Sequence, residues 1–291
     1  MNRRVIILFT IISIGVLFGS CKKESNEPFH ELSLNTDYFV DHTCADLSVI
    51  PEAYINAAKR DLNIVYGHTS HGSQLITGMD GLVDFKGSMY AYSFLPSDSK
   101  LTIHDQGISG DLGNPDRFTW AQRTRDYIAS NPEVNVVIWS WCGQVSTATE
   151  DDITDYLSLM QGLENDYPKI RFIYMTGHLD GTGLDGPLHL RNQQIRKFCS
   201  DNKKILYDFA DIESYDPDGN YFGDKIPNDN CDYDSDNNGS RDANWAIEWQ
   251  NAHTEGTDWY DCSSAHSQPL NANQKAYAAW WLWAKLAGWD G

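Results

Sequence analysis

The stretch from Asn63 to Leu75 concentrates side chains that could do chemistry. An apolar run ends there at a glycine, and a loop of hydroxyls and imidazoles follows before a helix-like pattern resumes. A serine that follows a buried strand, with an imidazole in reach, can act as a nucleophile. Two imidazoles three residues apart could instead hold a metal ion. The loop therefore indicates either acyl transfer through Ser70 or Ser73, or metal binding through His68 and His71.

Five apolar runs recur along the chain at roughly equal spacing: Leu62 to Tyr66, Leu101 to Ile103, Val134 to Trp139, Ile170 to Met175 and Ile205 to Phe209. Segments with helical periodicity lie between them, such as Thr119 to Ser130 and Asp151 to Leu163. Alternating strands and helices indicate a parallel sheet with right-handed crossovers. We therefore predict a three-layer α/β/α fold around a five-stranded parallel, flavodoxin-like sheet.

Polar clusters follow the predicted strands. The second, third and fourth runs are followed by Gly107 to Asp111, Trp141 to Gln144 and Thr176 to Gly181, and Asp261 to His266 precedes the last predicted helix. Open parallel sheets bind ligands in a crevice outside the carboxyl ends of their strands. We therefore expect these clusters to meet in one crevice with the loop after the first run.

The order of these pieces resembles that of the SGNH (GDSL-like) hydrolases. In that superfamily a serine follows the first strand, a glycine the second and an asparagine the third, and Asp-x-x-His stands before the last helix. The corresponding pieces here are GHTS, GISGD, WCGQ and SSAHSQPLN, which occur in order within residues 62 to 287. The resemblance implies that Ser70 is the nucleophile and His266 the general base, while Gly110 and Gln144 donate hydrogen bonds to an oxyanion.

Two pieces depart from the family's pattern. GDS is replaced by GHTS, which leaves three hydroxyls for the nucleophile position (Thr69, Ser70 and Ser73). The form His-x-Ser-x-Gly, which also resembles a branch of SGNH-like proteins, favours Ser70. Ser263 stands where the family has its aspartate. Asp261, Asp258 or a backbone carbonyl would then orient the imidazole, since the third member of a triad sets its tautomer and orientation.

Four other residues of these loops are candidates for contact with substrate, namely His68, His71, His178 and Asp180. Two alternative functions use the same sequence differently. A metal-dependent hydrolase could be built on His68, His71 and His178. A surface glycan-binding protein could keep the fold without catalysis, and the departures from GDS and from the aspartate favour that alternative.

An acidic constellation in the predicted insertion, residues 214 to 260, resembles a calcium-binding loop. Its residues fit positions one, three, five, six, seven and nine of such a loop (Asp234, Asp236, Asn238, Gly239, Ser240 and Asp242). The twelfth position holds Trp245 instead of glutamate, so Asp232 or Glu248 would have to replace that ligand. The pattern predicts a structural calcium ion, and we expect the insertion to form a wall of the crevice.

The amino terminus predicts export. Two arginines precede an apolar run from Val5 to Phe18, which is typical of a signal peptide over residues 1 to 20. Cys21 follows small residues and resembles the lipidated cysteine of a bacterial lipoprotein, although an ordinary secretory cleavage stays open. Residues 21 to 50 would form a tether and an irregular segment before the hydrolase-like domain at 51 to 291. These features predict a lipid-anchored protein of the cell envelope that contacts the membrane through Cys21 alone.

The charge of the chain narrows its partners. Removing residues 1 to 20, which contain two arginines and no acid, moves the formal net charge from −19 to −21. Nucleic acid is excluded as a partner, because binding phosphates depends on lysine and arginine clusters, which this chain lacks.

Cys231 and Cys262 are the first choice for a disulfide in an oxidising compartment. The sequence thus predicts an exported serine esterase that acts on polysaccharide or another acylated small substrate, with no cofactor for catalysis.

Overall fold

Seven strands form one sheet in the computed structural model, which describes residues 38–291. In chain order they are β1 Phe39–Val40, β2 Asn63–Gly67, β3 Tyr92–Ser93, β4 Leu101–Asp105, β5 Val136–Trp139, β6 Arg171–Met175 and β7 Leu206–Tyr207. Their spatial order is β1-β7-β6-β5-β2-β4-β3, and every neighbouring pair is parallel. The predicted α/β class is therefore confirmed.

The five predicted strands form the centre of this sheet. They correspond to β2, β4, β5, β6 and β7, and their spatial order is that of a flavodoxin-like sheet. The prediction of five strands is wrong by two, because β1 and β3 add one short strand at each edge. Each edge strand is only two residues long, which is too short for a periodic pattern to reveal it.

Within the described part of the chain, eight α-helices connect and cover the strands: α1 Glu52–Asp61, α2 Ser73–Lys86, α3 Thr119–Ser130, α4 Glu150–Asp166, α5 Pro187–Asp201, α6 Phe209–Ile212, α7 Trp245–Ala252 and α8 Pro269–Leu286. Right-handed crossovers in opposite directions along the sheet put α2 on one face and α3, α4 and α5 on the other. Helix α8 packs on α2, and Gly78 permits this because an added Cβ would collide with the Ala272 carbonyl.

The insertion contains structure of its own. Strands β8 Asp232–Tyr233 and β9 Ala243–Asn244 pair antiparallel, and α7 follows them directly. A small second core forms around this unit (Phe222, Cys231, Tyr233, Trp245, Ala246 and Leu270). Because Leu270 lies on α8, the insertion is attached to the main domain beside the carboxyl ends of the strands.

The predicted disulfide does not form. All five cysteines in the described part of the chain are free, and Cys231 Sγ lies 3.5 Å from Ser267 Oγ while Cys262 Sγ lies 3.8 Å from the Pro269 carbonyl. The predicted signal peptide, Cys21 and the tether at 22 to 28 lie outside the described residues. Within residues 38–291, no helix has the length and apolar character needed to cross a membrane.

Candidate active site

The loop after β2 presents Ser70 through an unusual backbone conformation. Strand β2 ends at Gly67, where any side chain would collide with the indole of Trp139 on β5. Ser70 then adopts φ +38° at the start of a short 3₁₀ turn that leads into α2. A positive φ is uncommon outside glycine. The Tyr66 hydroxyl donates a hydrogen bond to the Gly72 carbonyl at 2.9 Å and so holds this turn against the sheet.

Ser70 and His266 meet across 196 residues of sequence. Ser70 Oγ lies 2.5 Å from His266 Nε2, and His266 also has a positive φ, +61°. Ser70 is half-buried and His266 is exposed, so the pair opens to solvent. A hydroxyl that donates to a neutral imidazole can lose its proton to that ring as it attacks an electrophile. The pair therefore has the geometry of a nucleophile and its general base.

A buried amide positions the backbone beside His266. Gln74, in the first turn of α2, donates from Nε2 to the Ala265 carbonyl at 2.5 Å. The Gln74 Oε1 in turn accepts a hydrogen bond from Lys275 Nζ on α8. Both Gln74 and Lys275 are buried. Ala265, the residue before His266, is thus tied to α2, the helix that follows the Ser70 loop.

A buried ion pair completes this support. Lys275 Nζ lies 2.6 Å from Glu213 Oε1, and both side chains are at most 1% exposed. Burial lowers the pKa of Lys275, while the carboxylate of Glu213 opposes that effect. Glu213 Oε2 also accepts from the Leu179 N–H at 2.8 Å. One buried pair therefore supports the segment before His266 and the loop that carries His178.

The backbone N–H groups of Ser70 and Gly110 make no hydrogen bond within residues 38–291. Gly110 has φ +100°, and an added Cβ would collide with the Arg123 guanidinium. Glycine is favoured here because φ lies in the region that residues with a Cβ rarely adopt, whereas the flexible Arg123 side chain could move away from an added Cβ. Free N–H groups beside a nucleophile are the donors that an oxyanion requires.

Asp111 connects three loops of the crevice. Its Oδ1 accepts from the Thr69 hydroxyl at 3.0 Å, and its Oδ2 accepts from Gln144 Nε2 at 2.6 Å. Gln144 Oε1 accepts from the Cys142 N–H at 3.0 Å. One hydrogen of the Gln144 amide is thus used internally, and the second is left for another acceptor. The polar clusters after β2, β4 and β5 do meet in one crevice.

Three imidazoles stack next to this crevice. The ring centroids of His71 and His178 are 3.6 Å apart, those of His71 and His266 are 4.4 Å apart, and the planes differ by 7° and 19°. Burial lowers the pKa of His178, although nearby Glu213 raises it. His71 Nε2 donates to Asp229 Oδ2 at 2.8 Å. Asp229 belongs to the insertion, which thereby contributes a carboxylate to the site.

Other predicted site residues lie apart from the serine and histidine pair. His68 is buried and its Nε2 bonds Asp105 Oδ1 at 2.7 Å, so it does not join His71 and His178. Asp180 Oδ1 accepts from the N–H and hydroxyl of Thr182.

Neither acid expected to orient His266 does so. Asp261 is exposed and makes no hydrogen bond to the imidazole in residues 38–291. Asp258 accepts from the Thr254 N–H at 2.9 Å. Within residues 38–291, the carboxylate of Asp229 comes close to His266, since one of its oxygens, a ring nitrogen of His71 and a ring nitrogen of His266 all lie within 4.8 Å of one another.

The predicted calcium loop is closed by its own backbone. Asp234 is buried and accepts from the N–H groups of Asn238 and Gly239 at 3.1 and 2.7 Å. Asp236, Ser240 and Asp242 lie in the same turn and are exposed. The two candidates for the missing glutamate have other partners: Asp232 accepts from Asn228, Asn230 and Asn244, and Glu248 accepts from Tyr233. Calcium binding by this loop stays a prediction.

No protein-family model and no curated protein matches this sequence. The assignment of a family therefore depends on the motifs and on the geometry they produce. Five side chains that contribute to the site were not expected from the sequence: Gln74, Asp111, Glu213, Asp229 and Lys275. Asp111 lies inside GISGD and could have been suspected from its polar neighbours. Asp229 and the pair of Lys275 with Glu213 gave no local signal, because each depends on contacts between residues far apart in the chain.

Proposed function

We propose that this chain is an SGNH-type serine esterase. The observation that carries the proposal is the 2.5 Å contact between Ser70 Oγ and His266 Nε2, with both residues held at positive φ. Strained backbone of this kind persists only where surrounding structure enforces it, and it clusters at functional sites. The free N–H groups of Ser70 and Gly110 supply the second requirement of acyl transfer, a place for negative charge.

The reaction follows from these contacts. His266 Nε2 takes the proton of Ser70 as Oγ attacks the ester carbonyl, and the carbonyl π electrons move onto oxygen. That oxyanion is bound by the N–H groups of Ser70 and Gly110 and by the free hydrogen of Gln144 Nε2. Collapse of the intermediate breaks the bond to the alcohol, which leaves with the proton from His266. Water then attacks the acyl-serine by the same steps, and the acid and Ser70 are released.

Asp229 takes over part of the role of the aspartate that SGNH hydrolases have and this chain lacks. Its carboxylate lies near the His266 ring while it accepts a hydrogen bond from His71. Burial raises the pKa of Asp229, but the bond from His71 and the neighbouring imidazoles hold it below the usual value. An ionised carboxylate at this position favours the imidazolium that forms when Ser70 is deprotonated.

The substrate class follows from resemblance and from the openness of the site. His266 and Gly110 are exposed, which suits a group carried on a larger molecule such as an acetylated polysaccharide. The formal charge of −19 disfavours polyanionic substrates.

The lipoprotein-like Cys21 would keep the enzyme in the cell envelope. Cys21→Ala should therefore move the protein from the membrane fraction to the soluble fraction of the native host.

The proposal is tested by removing the nucleophile. Ser70→Ala should lower kcat for a short-chain aryl ester and for an acetylated glycan by at least about 10³-fold, because the remaining groups cannot replace covalent catalysis. The melting temperature should stay unchanged, since Ser70 is half-buried and small. Ser73→Ala is the matched control, as its hydroxyl makes no side-chain hydrogen bond in residues 38–291.

Three outcomes would redirect or contradict the proposal. Loss of activity in Ser73→Ala with full activity in Ser70→Ala would reassign the nucleophile. If Ser70→Ala and His266→Gln both retain wild-type turnover, the esterase is contradicted. Glycan binding without any turnover in the wild-type chain would favour the alternative of a catalytically inactive binding protein.

A further inference from the structure

His71, Asp229 and His266 converge beside the nucleophile. One ligand atom from each lies within 4.8 Å of the others, and His71 Nε2 and Asp229 Oδ2 are already 2.8 Å apart. We propose that these three side chains form a binding site for a transition-metal dication of the zinc class, and that the bound ion inhibits the esterase by taking His266 away from Ser70. The inhibitory part rests on the proposed function, whereas the binding part does not.

The donor set suits such an ion. Two imidazoles and one carboxylate are the ligands of many open zinc sites, and imidazole donors disfavour magnesium and calcium. A tetrahedral zinc ion holds its ligand atoms roughly 3.4 Å apart, because its bonds to nitrogen and oxygen are about 2.0–2.2 Å long. Ligand atoms that lie up to 4.8 Å apart must therefore approach one another by at most roughly 1.4 Å. His266 is the exposed member of the group, so it can make that movement while His71 stays in place.

The surroundings of His71 prepare it as a ligand. His178 stacks on one face of its ring, and His71 Nδ1 lies 3.7 Å from Cys142 Sγ. A metal at Nε2 would shift the ring proton to Nδ1, where the sulfur of Cys142 is a weak acceptor. His178 Nε2 is buried without a hydrogen-bond partner in the described chain, so a further uncommitted nitrogen lies beside the cluster.

Inhibition follows whichever nitrogen of His266 binds the ion. Coordination through Nε2 occupies the lone pair that would accept the Ser70 proton. Coordination through Nδ1 places the ring proton on Nε2, which can then only donate to Ser70 Oγ. The neutral imidazole therefore stops being a base for the serine in either case. Esterase activity and metal binding are mutually exclusive uses of one side chain.

Calorimetric titration of the metal-free full chain with zinc chloride tests the site directly. Wild type should bind one ion. His266→Gln, Asp229→Asn and His71→Gln should each weaken binding by at least about tenfold, because each removes one of three ligands. His189→Gln and Asp185→Asn, which change the same residue types outside the cluster, should bind as wild type does. Magnesium chloride should give no binding at this site.

The activity assay separates the two parts of the proposal. Zinc should inhibit aryl-ester hydrolysis over the concentration range in which it binds, and a chelator should restore the rate. Absence of zinc binding, or equal binding by wild type and His266→Gln, would overturn the site. His266 is exposed, so this variant should fold and its result is decisive. Binding accompanied by a higher rate would overturn the inhibitory role. Binding to a chain without esterase activity would support the site and contradict the proposed function instead.

Discussion

The two walls of the crevice are built differently. One wall consists of strand ends and the loops that follow them, and it carries Ser70, Gly110 and Gln144. The other wall comes from the insertion and contributes Asp229, which reaches His71 across 158 residues of sequence. The first wall is fixed by a parallel sheet and by α2 and α8, whereas the second is fixed by a small core of its own.

This difference separates two tasks of the site. In the proposed mechanism the sheet-derived wall supplies the groups that make and break bonds, and its positions follow from the fold. The insertion supplies charge next to the base, and it can vary without changing the sheet. Loops on a rigid scaffold commonly carry such variable contributions. The difference predicts that damage to the first wall removes stability or chemistry, while damage to the second changes electrostatics and ion binding.

The buried ion pair under the first wall should give the largest effect on stability. Lys275→Met leaves the buried carboxyl group of Glu213 without its partner, and breaking such a pair costs about 3–5 kcal/mol. Urea unfolding at neutral pH should show this loss. Lys197→Met is the control, because Lys197 pairs with Asp201 at the surface and such pairs contribute about 0–1 kcal/mol. Equal losses in the two variants would contradict the supporting role of the pair.

Gln144 tests the chemistry of the same wall. Gln144→Ala should lower kcat by about 10²–10³-fold with little change in KM, since an oxyanion donor acts mainly in the transition state. The exposed Gln193→Ala should leave both constants unchanged. A larger effect of Gln144→Ala on KM than on kcat would mean that the amide only braces Asp111 and the loops around it.

Calcium tests the second wall and should give the smallest effect. An ion that binds only the folded chain, present at about a hundred times its dissociation constant, adds roughly 2.7 kcal/mol to stability. A chelator should therefore lower the melting temperature by several degrees, and Asp234→Asn should remove that response. Identical melting with and without chelator, together with no calcium in elemental analysis, would leave the insertion held by its hydrogen bonds and its core alone.

The fold was largely predictable because its signals are local. Apolar runs such as Val134 to Trp139 and helical periodicity such as that of Thr119 to Ser130 match β5 and α3 closely. The order of polar clusters then predicted which loops share the crevice. Strands β1 and β3 were missed since two-residue edge strands carry no periodic pattern.

The site was predictable only in part. Ser70 lies in the loop after β2, whose position follows from the strand order, whereas the pairing of Ser70 with His266 before α8 was expected from the resemblance to SGNH hydrolases. The carboxylate near His266 could not be predicted, because Asp229 lies in an insertion whose path depends on its own small core. Closeness in sequence was a poor guide to this carboxylate. Asp261 is only five residues before His266, but it is exposed and makes no hydrogen bond to the imidazole within residues 38–291.

Covalent labelling tests the central claim most directly. A fluorophosphonate reacts with a serine hydroxyl only where a base and an oxyanion site activate it. Intact-mass analysis of the wild-type chain should show one adduct, and peptide mapping should place it on Ser70. Ser70→Ala and His266→Gln should show none over the same time, while Ser73→Ala should label as wild type does. An adduct on another residue, or ester turnover by a chain that remains unlabelled, would contradict the account.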